Sequence, residues 1–172
     1  FTALQRYKMD FLNDGKERRL VVHVDNYHNG QNFDCDVTLV ESGEDSMVIA
    51  TPFKKDKHFY YNQKINCLKS KGSASYNGKT YSLDNCYGVL DWGRGVWTYS
   101  NTWYWASMSG ESNGVPIGFN LGYGFGDTSA ASENVFFYDG KAYKLEDVAF
   151  NIPGDGTKKI NYMDPWHFTS SD

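Results

Sequence analysis

Apolar and polar residues alternate with a period of two along most of this chain, the pattern of strands covered on one side. Tyr7, Met9 and Phe11 share one face, Leu20, Val22 and Val24 another, and Cys35, Val37 and Leu39 a third. In HFYYNQKINCL, Phe59, Tyr61, Ile65 and Cys67 fall on one side, opposite His58, Asn62, Lys64 and Asn66. Nothing of similar strength recurs at helical spacing.

Turn chemistry divides this alternation into hairpins. YNGKTYSL at 76–83 and YDGKAYKL at 138–145 each centre on Asn-Gly or Asp-Gly. These dipeptides favour the positive φ angles of a type I′ turn, so each segment is expected to be a hairpin. Two copies are too few for a repeat architecture. Polar clusters at 13–18, 28–32, 42–45, 54–57, 110–114 and 153–159 supply further turns, with a strand every ten residues or so. That spacing predicts an all-β fold, an antiparallel lipocalin-like or calycin-like barrel or a sandwich, with little or no helix.

With 172 residues the chain suits a single domain spanning 1–172. Its formal charge of −4 is spread without long runs, so no nucleic-acid or membrane partner is implied. No apolar stretch is long enough to cross a bilayer, and FTALQRYKMD lacks the apolar core of a signal peptide. Cys35, Cys67 and Cys86 are odd in number and contain no CxxC, which favours reduced, buried thiols and a cytoplasmic setting. The start at Phe1 and the end at SSD read as a piece taken from a longer chain.

His23, His28, His58 and His167 stand singly, so no metal site is expected. No nucleophile elbow exists and no cofactor motif is present. GYGFGD at 122–127 lacks the order and context of a phosphate loop, so its glycines are read as turns.

Aromatic residues, 17% of the chain, either fill the core or line a pocket. In NTWYWASMSG, Trp103 and Trp105 share a face with Asn101, Ser107 and Ser109, as a stacking platform or a serine-capped core requires. In VPIGFNLGYG, Gly118 and Gly122 flank Asn120, which suggests open space for a ligand or another backbone, or a bulge. Asp127, Glu133 and Asn134 follow, in a loop that otherwise reads as a solvated connection.

GVLDWGRGVW, at 88–97, gathers Asp91, Trp92, Arg94 and Trp97 among three glycines. Asp91 and Glu133 are the candidate acid–base residues, since a carboxyl against an indole is desolvated and suited to hold a proton. An Asp91–Arg94 ion pair pinning a bend in the backbone is the simpler account of that stretch. The glycines then turn the indoles toward a common interior.

GVLDWGRGVW, WYWASMSG, GFNLGYGFGDTSAASENVFFYDGKAYKL and DPWHFTSSD, with FYYNQKINCL and GSASYNG upstream, resemble the signature blocks of an uncharacterised bacterial family, domain of unknown function family 2804. The resemblance runs from about Phe59 to the last residue and is loose over 1–58. Thr98 and Tyr104 stand where the family pattern has proline and asparagine. Family members carry further blocks on both sides, which implies that this piece is the middle of a longer chain, completed by flanking segments. The family is distantly similar to lipocalin-like proteins, among them carotenoid hydratases, and that likeness implies a barrel with an apolar cavity. It assigns no role to the matching positions, which are Asp91, Trp92, Arg94, Trp97, Trp103, Trp105, Asn120, Asp127, Glu133, Asn134 and Trp166.

The expected function is binding of an apolar or aromatic small molecule in a pocket walled by Trp97, Trp103 and Trp105, with Trp92, Arg94, Asn120, Asp127 and Asn134 as further ligand-binding candidates. One alternative is a hydratase, lyase or isomerase using Asp91 or Glu133 as proton donor. Another is a carbohydrate-binding module with Trp103 and Trp105 on a solvent-facing sheet. Whether the protein is an enzyme stays open at this point.

Overall fold

The computed structural model describes residues 7–154 and 160–171. Residues 1–6, part of the 153–159 turn and the final residue lie outside these. Thirteen strands make up the described chain: β1 (Tyr7–Asn13), β2 (Glu17–His28), β3 (Gln31–Val40), β4 (Met47–Pro52), β5 (Phe59–Tyr76), β6 (Lys79–Ser82), β7 (Tyr87–Val96), β8 (Tyr104–Ser112), β9 (Val115–Tyr123), β10 (Val135–Tyr138), β11 (Lys141–Lys144), β12 (Val148–Asn151) and β13 (His167–Ser170). All ladders are antiparallel. Among the described residues no helix is long and apolar enough to cross a membrane.

Asn-Gly and Asp-Gly dipeptides close four of the hairpins. Asn29-Gly30, Asn77-Gly78, Asn113-Gly114 and Asp139-Gly140 all have positive φ at both positions, the type I′ geometry whose twist matches that of the flanking strands. They connect β2 to β3, β5 to β6, β8 to β9 and β10 to β11.

Seven strands form one sheet around β5, in the order β1-β2-β3-β5-β4, with β6 and β7 also paired to β5; β11-β10-β9-β8 form a second sheet and β12-β13 a third. Among the described residues no sheet closes into a barrel, and the arrangement is consistent with a sandwich.

The eighteen-residue strand β5 joins the two larger sheets. Its register with β7 shifts between Ile65 and Leu68, and Cys67 there takes a φ of 65°, as in a bulge that re-aims neighbouring side chains. Asn66 Nδ2 is thereby brought to the carbonyls of Met108 (2.9 Å) and Phe119 (3.0 Å) in the facing sheet, and Cys67 N donates to Ser109 Oγ at 3.0 Å. Gly118 permits this approach, since a Cβ there would lie 2.7 Å from the Met108 carbonyl oxygen and 2.9 Å from Cys67 Sγ. Beside it, Met47, Cys67, Val135 and Phe137 form a buried cluster spanning both sheets.

Two expectations need correction. Cys86 is exposed and Cys35 half-buried, leaving Cys67 as the buried member of three free thiols. The apolar face of β1 is also open, with Tyr7, Met9 and Phe11 all exposed, because among the described elements β1 packs beside β2 and no second sheet lies over it.

Candidate functional site

Asn62 and Lys64 project from one face of β5, and both are buried although that face is the polar one. Register places Lys64 opposite Asp91 of β7, close enough for side chains on the same face to meet. Lys64 Nζ lies 2.6 Å from Asp91 Oδ1 and 2.9 Å from Glu133 Oε2, and 5.5 Å from the centre of the Trp105 ring. Asn62 Nδ2 also donates to Glu133 Oε2, at 3.0 Å. The lysine side chain is 2% exposed, that of Glu133 11% and that of Asp91 41%. Burial works against the lysine charge, but Glu133 and Asp91 outweigh it and hold the pKa of Lys64 above the ordinary lysine value.

This triad borders a cavity of about 500 Å³ whose walls include Tyr60, Trp97, Trp103, Trp105 and Phe125, with Tyr99 at its fully exposed rim. Phe125 is the hub of the aromatic wall: its ring centre is 4.7 Å from that of Tyr60, 5.0 Å from Trp103 and 5.7 Å from Trp97, all edge to face. Gly124 and Gly126, both at positive φ, bracket it. The loop carrying it is held to β4 by Asp127 N donating to the Pro52 carbonyl (2.7 Å) and by Thr51 Oγ1 donating to that of Ala131 (3.0 Å). The β7–β8 loop is fixed by Thr98 Oγ1 donating to Asn101 Oδ1 and Asn101 Nδ2 donating to the Thr98 carbonyl, each at 2.6 Å. Burial in this wall pushes the Tyr60 hydroxyl pKa up.

Glycines in this region are space-makers. A Cβ on Gly93 would lie 2.6 Å from Tyr60 Cε2, and one on Gly122 would collide with the Glu133 carboxylate. GVLDWGRGVW is thus almost wholly strand, with β7 reaching Val96; Gly93 accommodates the Tyr60 ring instead of bending the backbone.

The family model for a domain of unknown function, DUF2804, matches residues 2–172. The chain belongs to this family. The match takes in residues 2–58 as well as the blocks from Phe59 onward. No curated protein and no solved structure matches the chain.

In this DUF2804 chain the candidate residues fall into four groups, with Trp166 apart from them. Asp91, Trp97, Trp103, Trp105 and Glu133 border the cavity. Asn120 and Asn134 stand behind it: Asn120 Oδ1 accepts from Trp105 Nε1 at 2.8 Å, Asn120 Nδ2 donates to the Glu133 carbonyl at 3.0 Å, and Asn134 Oδ1 accepts from Gly122 N at 2.9 Å. Asn120 is therefore packed, with both side-chain polar atoms bonded, and not in open space. Trp92 and Arg94 lie on the opposite face of β7, where the guanidinium sits 5.8 Å from the Tyr61 and Trp92 ring centres. The expected Asp91–Arg94 pair does not form, because residues three apart on a strand point to opposite faces. Asp127 is turned to its own loop, accepting from Ser129 N and Oγ at 3.2 and 2.6 Å, and Ser129 lowers its pKa.

Trp166 lies elsewhere, 5.8 Å from Tyr104 and 6.3 Å from Phe168 between ring centres. Asp91 also borders a second cavity, of about 340 Å³, lined by Phe11, Leu12, Leu20 and Leu39.

Lys64, Tyr60 and Phe125 are the site residues that motif reading passed over. Asn62, Lys64 and Asn66 do form an alternating polar set in the sequence. That set becomes informative once β5 is known to be covered on both faces, since buried lysines almost always have partners.

Proposed function

We propose that this protein binds an apolar or aromatic small molecule in the cavity between β5, β7 and β8, with the ligand's polar end toward the Asp91–Lys64–Glu133 triad. The supporting observation is the aromatic wall of Tyr60, Trp97, Trp103, Trp105 and Phe125 beside a cluster of charged groups. Small-molecule sites are typically concave, mostly apolar, a few hundred to about 1,000 Å³ in volume, and furnished with a few placed polar groups. Three free thiols suit a reducing compartment, and the cytoplasm is the setting we propose.

Titration with the neutral fluorophore N-phenyl-naphthylamine tests this reading. Saturable binding that is weakened by Trp103→Ala and Trp105→Ala, and left intact by Trp92→Ala on the opposite face, supports it. Absence of saturable binding, or equal loss in all three variants, overturns it.

Acid–base catalysis on such a ligand is the second reading, since Asp91 and Glu133 border the same cavity. Both carboxylates are engaged by the Lys64 ammonium, whereas the aromatic wall lines the cavity whatever chemistry follows. Binding therefore ranks first. A carbohydrate platform is the third reading: Trp103 and Trp105 are about half exposed, at 51% and 44%, but they belong to a concave wall beside the charged triad, where a platform uses an open sheet face.

A further inference from the structure

We infer that the ligand of this cavity is an organic cation, an alkylammonium or protonated amine on a flat or apolar body. The inference rests on the binding function proposed above and concerns the sign of charge the site selects.

Two carboxylates and one ammonium leave the triad with one formal negative charge in excess, and exposure decides which member a ligand meets. Lys64 is enclosed by Asp91, Glu133 and the Trp105 ring. Asp91 is 41% exposed, and Lys64 is the sole hydrogen-bonding or ion-pair partner of its carboxylate among the described residues. Glu133 is nine-tenths buried. Its Oε2 takes both the Lys64 and Asn62 contacts, while Oε1 accepts no hydrogen bond among the described residues. Of the charged groups at this cavity, those left with capacity are therefore the carboxylates, beside the neutral polar groups of Tyr60, Thr98, Tyr99 and Asn101.

The walls favour the same sign. Faces of tryptophan and tyrosine rings carry negative electrostatic potential and attract ammonium groups within about 6 Å. Three indoles, two phenols and a phenyl ring border the cavity that Asp91 borders, and Lys64 already uses the Trp105 ring in this way. An anionic ligand would meet repulsion from Asp91 with the ammonium screened behind it. A neutral ligand would fill the aromatic space without using the carboxylate.

Displacement of N-phenyl-naphthylamine by three probes of similar shape provides the test: benzyltrimethylammonium, its neutral carbon isostere neopentylbenzene, and phenylmethanesulfonate. The cation is expected to bind about tenfold or more tighter than the isostere, as about 1.4 kcal/mol of cation–π and ionic attraction corresponds to tenfold. That preference is expected to shrink at high salt and in Asp91→Asn. Equal or tighter binding of neopentylbenzene overturns the inference while leaving the apolar pocket standing. Tighter binding of the sulfonate also overturns it and assigns the polar contact to Lys64. Failure of the fluorophore itself to bind removes the underlying reading. Because the three probes are compared on the unaltered protein, the test stands even if Asp91→Asn fails to fold.

Discussion

Lys64 and Asp91 face each other across β5 and β7, with the ammonium 2.6 Å from Asp91 Oδ1 and Glu133 Oε2 on its other side. The acid of the DWGR stretch is thus bound to a neighbouring strand instead of to the arginine of its own. Through Glu133, the same lysine ties the large sheet to the loop entering β10.

Removing that lysine is expected to be costly. Lys64→Met leaves two carboxylates facing each other without a cation, and loss of one partner of a buried pair typically costs about 3–5 kcal/mol. Adding Glu133→Gln should recover part of the loss, because the uncompensated buried charge is gone. Urea unfolding of the single and double variants measures both. A Lys64→Met cost below about 1 kcal/mol, the level of a surface ion pair, would contradict the buried triad.

Gly122→Ala should destabilise by about 1–3 kcal/mol, the usual cost of overpacking, since its methyl group would occupy the space of the Glu133 carboxylate. Gly110→Ala offers the contrast: its Cβ would meet only Met108 Sδ, at 3.7 Å. That change should be neutral or slightly stabilising, as glycine weakens a strand interior. Thermal unfolding of the pair checks the difference.

Arg94→Ala should leave binding of the neutral fluorophore unchanged. The guanidinium stacks by Tyr61 and Trp92 on the face of β7 away from the cavity, and such an exposed contact is worth about 0.5–1 kcal/mol of stability. Trp97→Ala should instead weaken binding. Equilibrium titration separates the two, and a binding defect in Arg94→Ala would mean that the two faces are not functionally distinct.

His23 introduces a pH dependence at the β2–β3 ladder. Its Nδ1 lies 2.5 Å from Asp34 Oδ1 and its Nε2 lies 2.9 Å from Asp25 Oδ1, and these two contacts, Asp34 foremost, raise its pKa. A histidine whose pKa is raised on folding contributes stability that is full below its unfolded value of about 6.5 and is lost as pH rises through the folded value. The stability advantage of the native chain over His23→Asn should therefore be larger near pH 5.5 than near pH 9. Chemical unfolding at the two pH values tests the sign, and a larger advantage at alkaline pH would refute it.

Much of the fold was legible because its determinants are local. Period-two alternation and Asn-Gly or Asp-Gly turns act within a few residues, so the strands around 77–78 and 139–140 follow from the sequence. The aromatic set was partly legible: Trp103 and Trp105 both border the cavity, although β8 begins only at Tyr104 and Trp103 stands in the loop before it, where strand alternation does not act. Asn120 was misread because flanking glycines announce close approach without saying by what, and Glu133 fills the space that Gly122 leaves.

The sequence by itself determined an antiparallel all-β chain with type I′ hairpins. Only the tertiary structure decided that the polar face of β5 is an interior one, that Asp91 belongs to Lys64, and that Phe125 closes the aromatic wall. The physical reason is range. Strand propensity and turn geometry depend on neighbours in sequence, whereas a buried lysine is tolerable only where register and sheet packing deliver two carboxylates from distant segments.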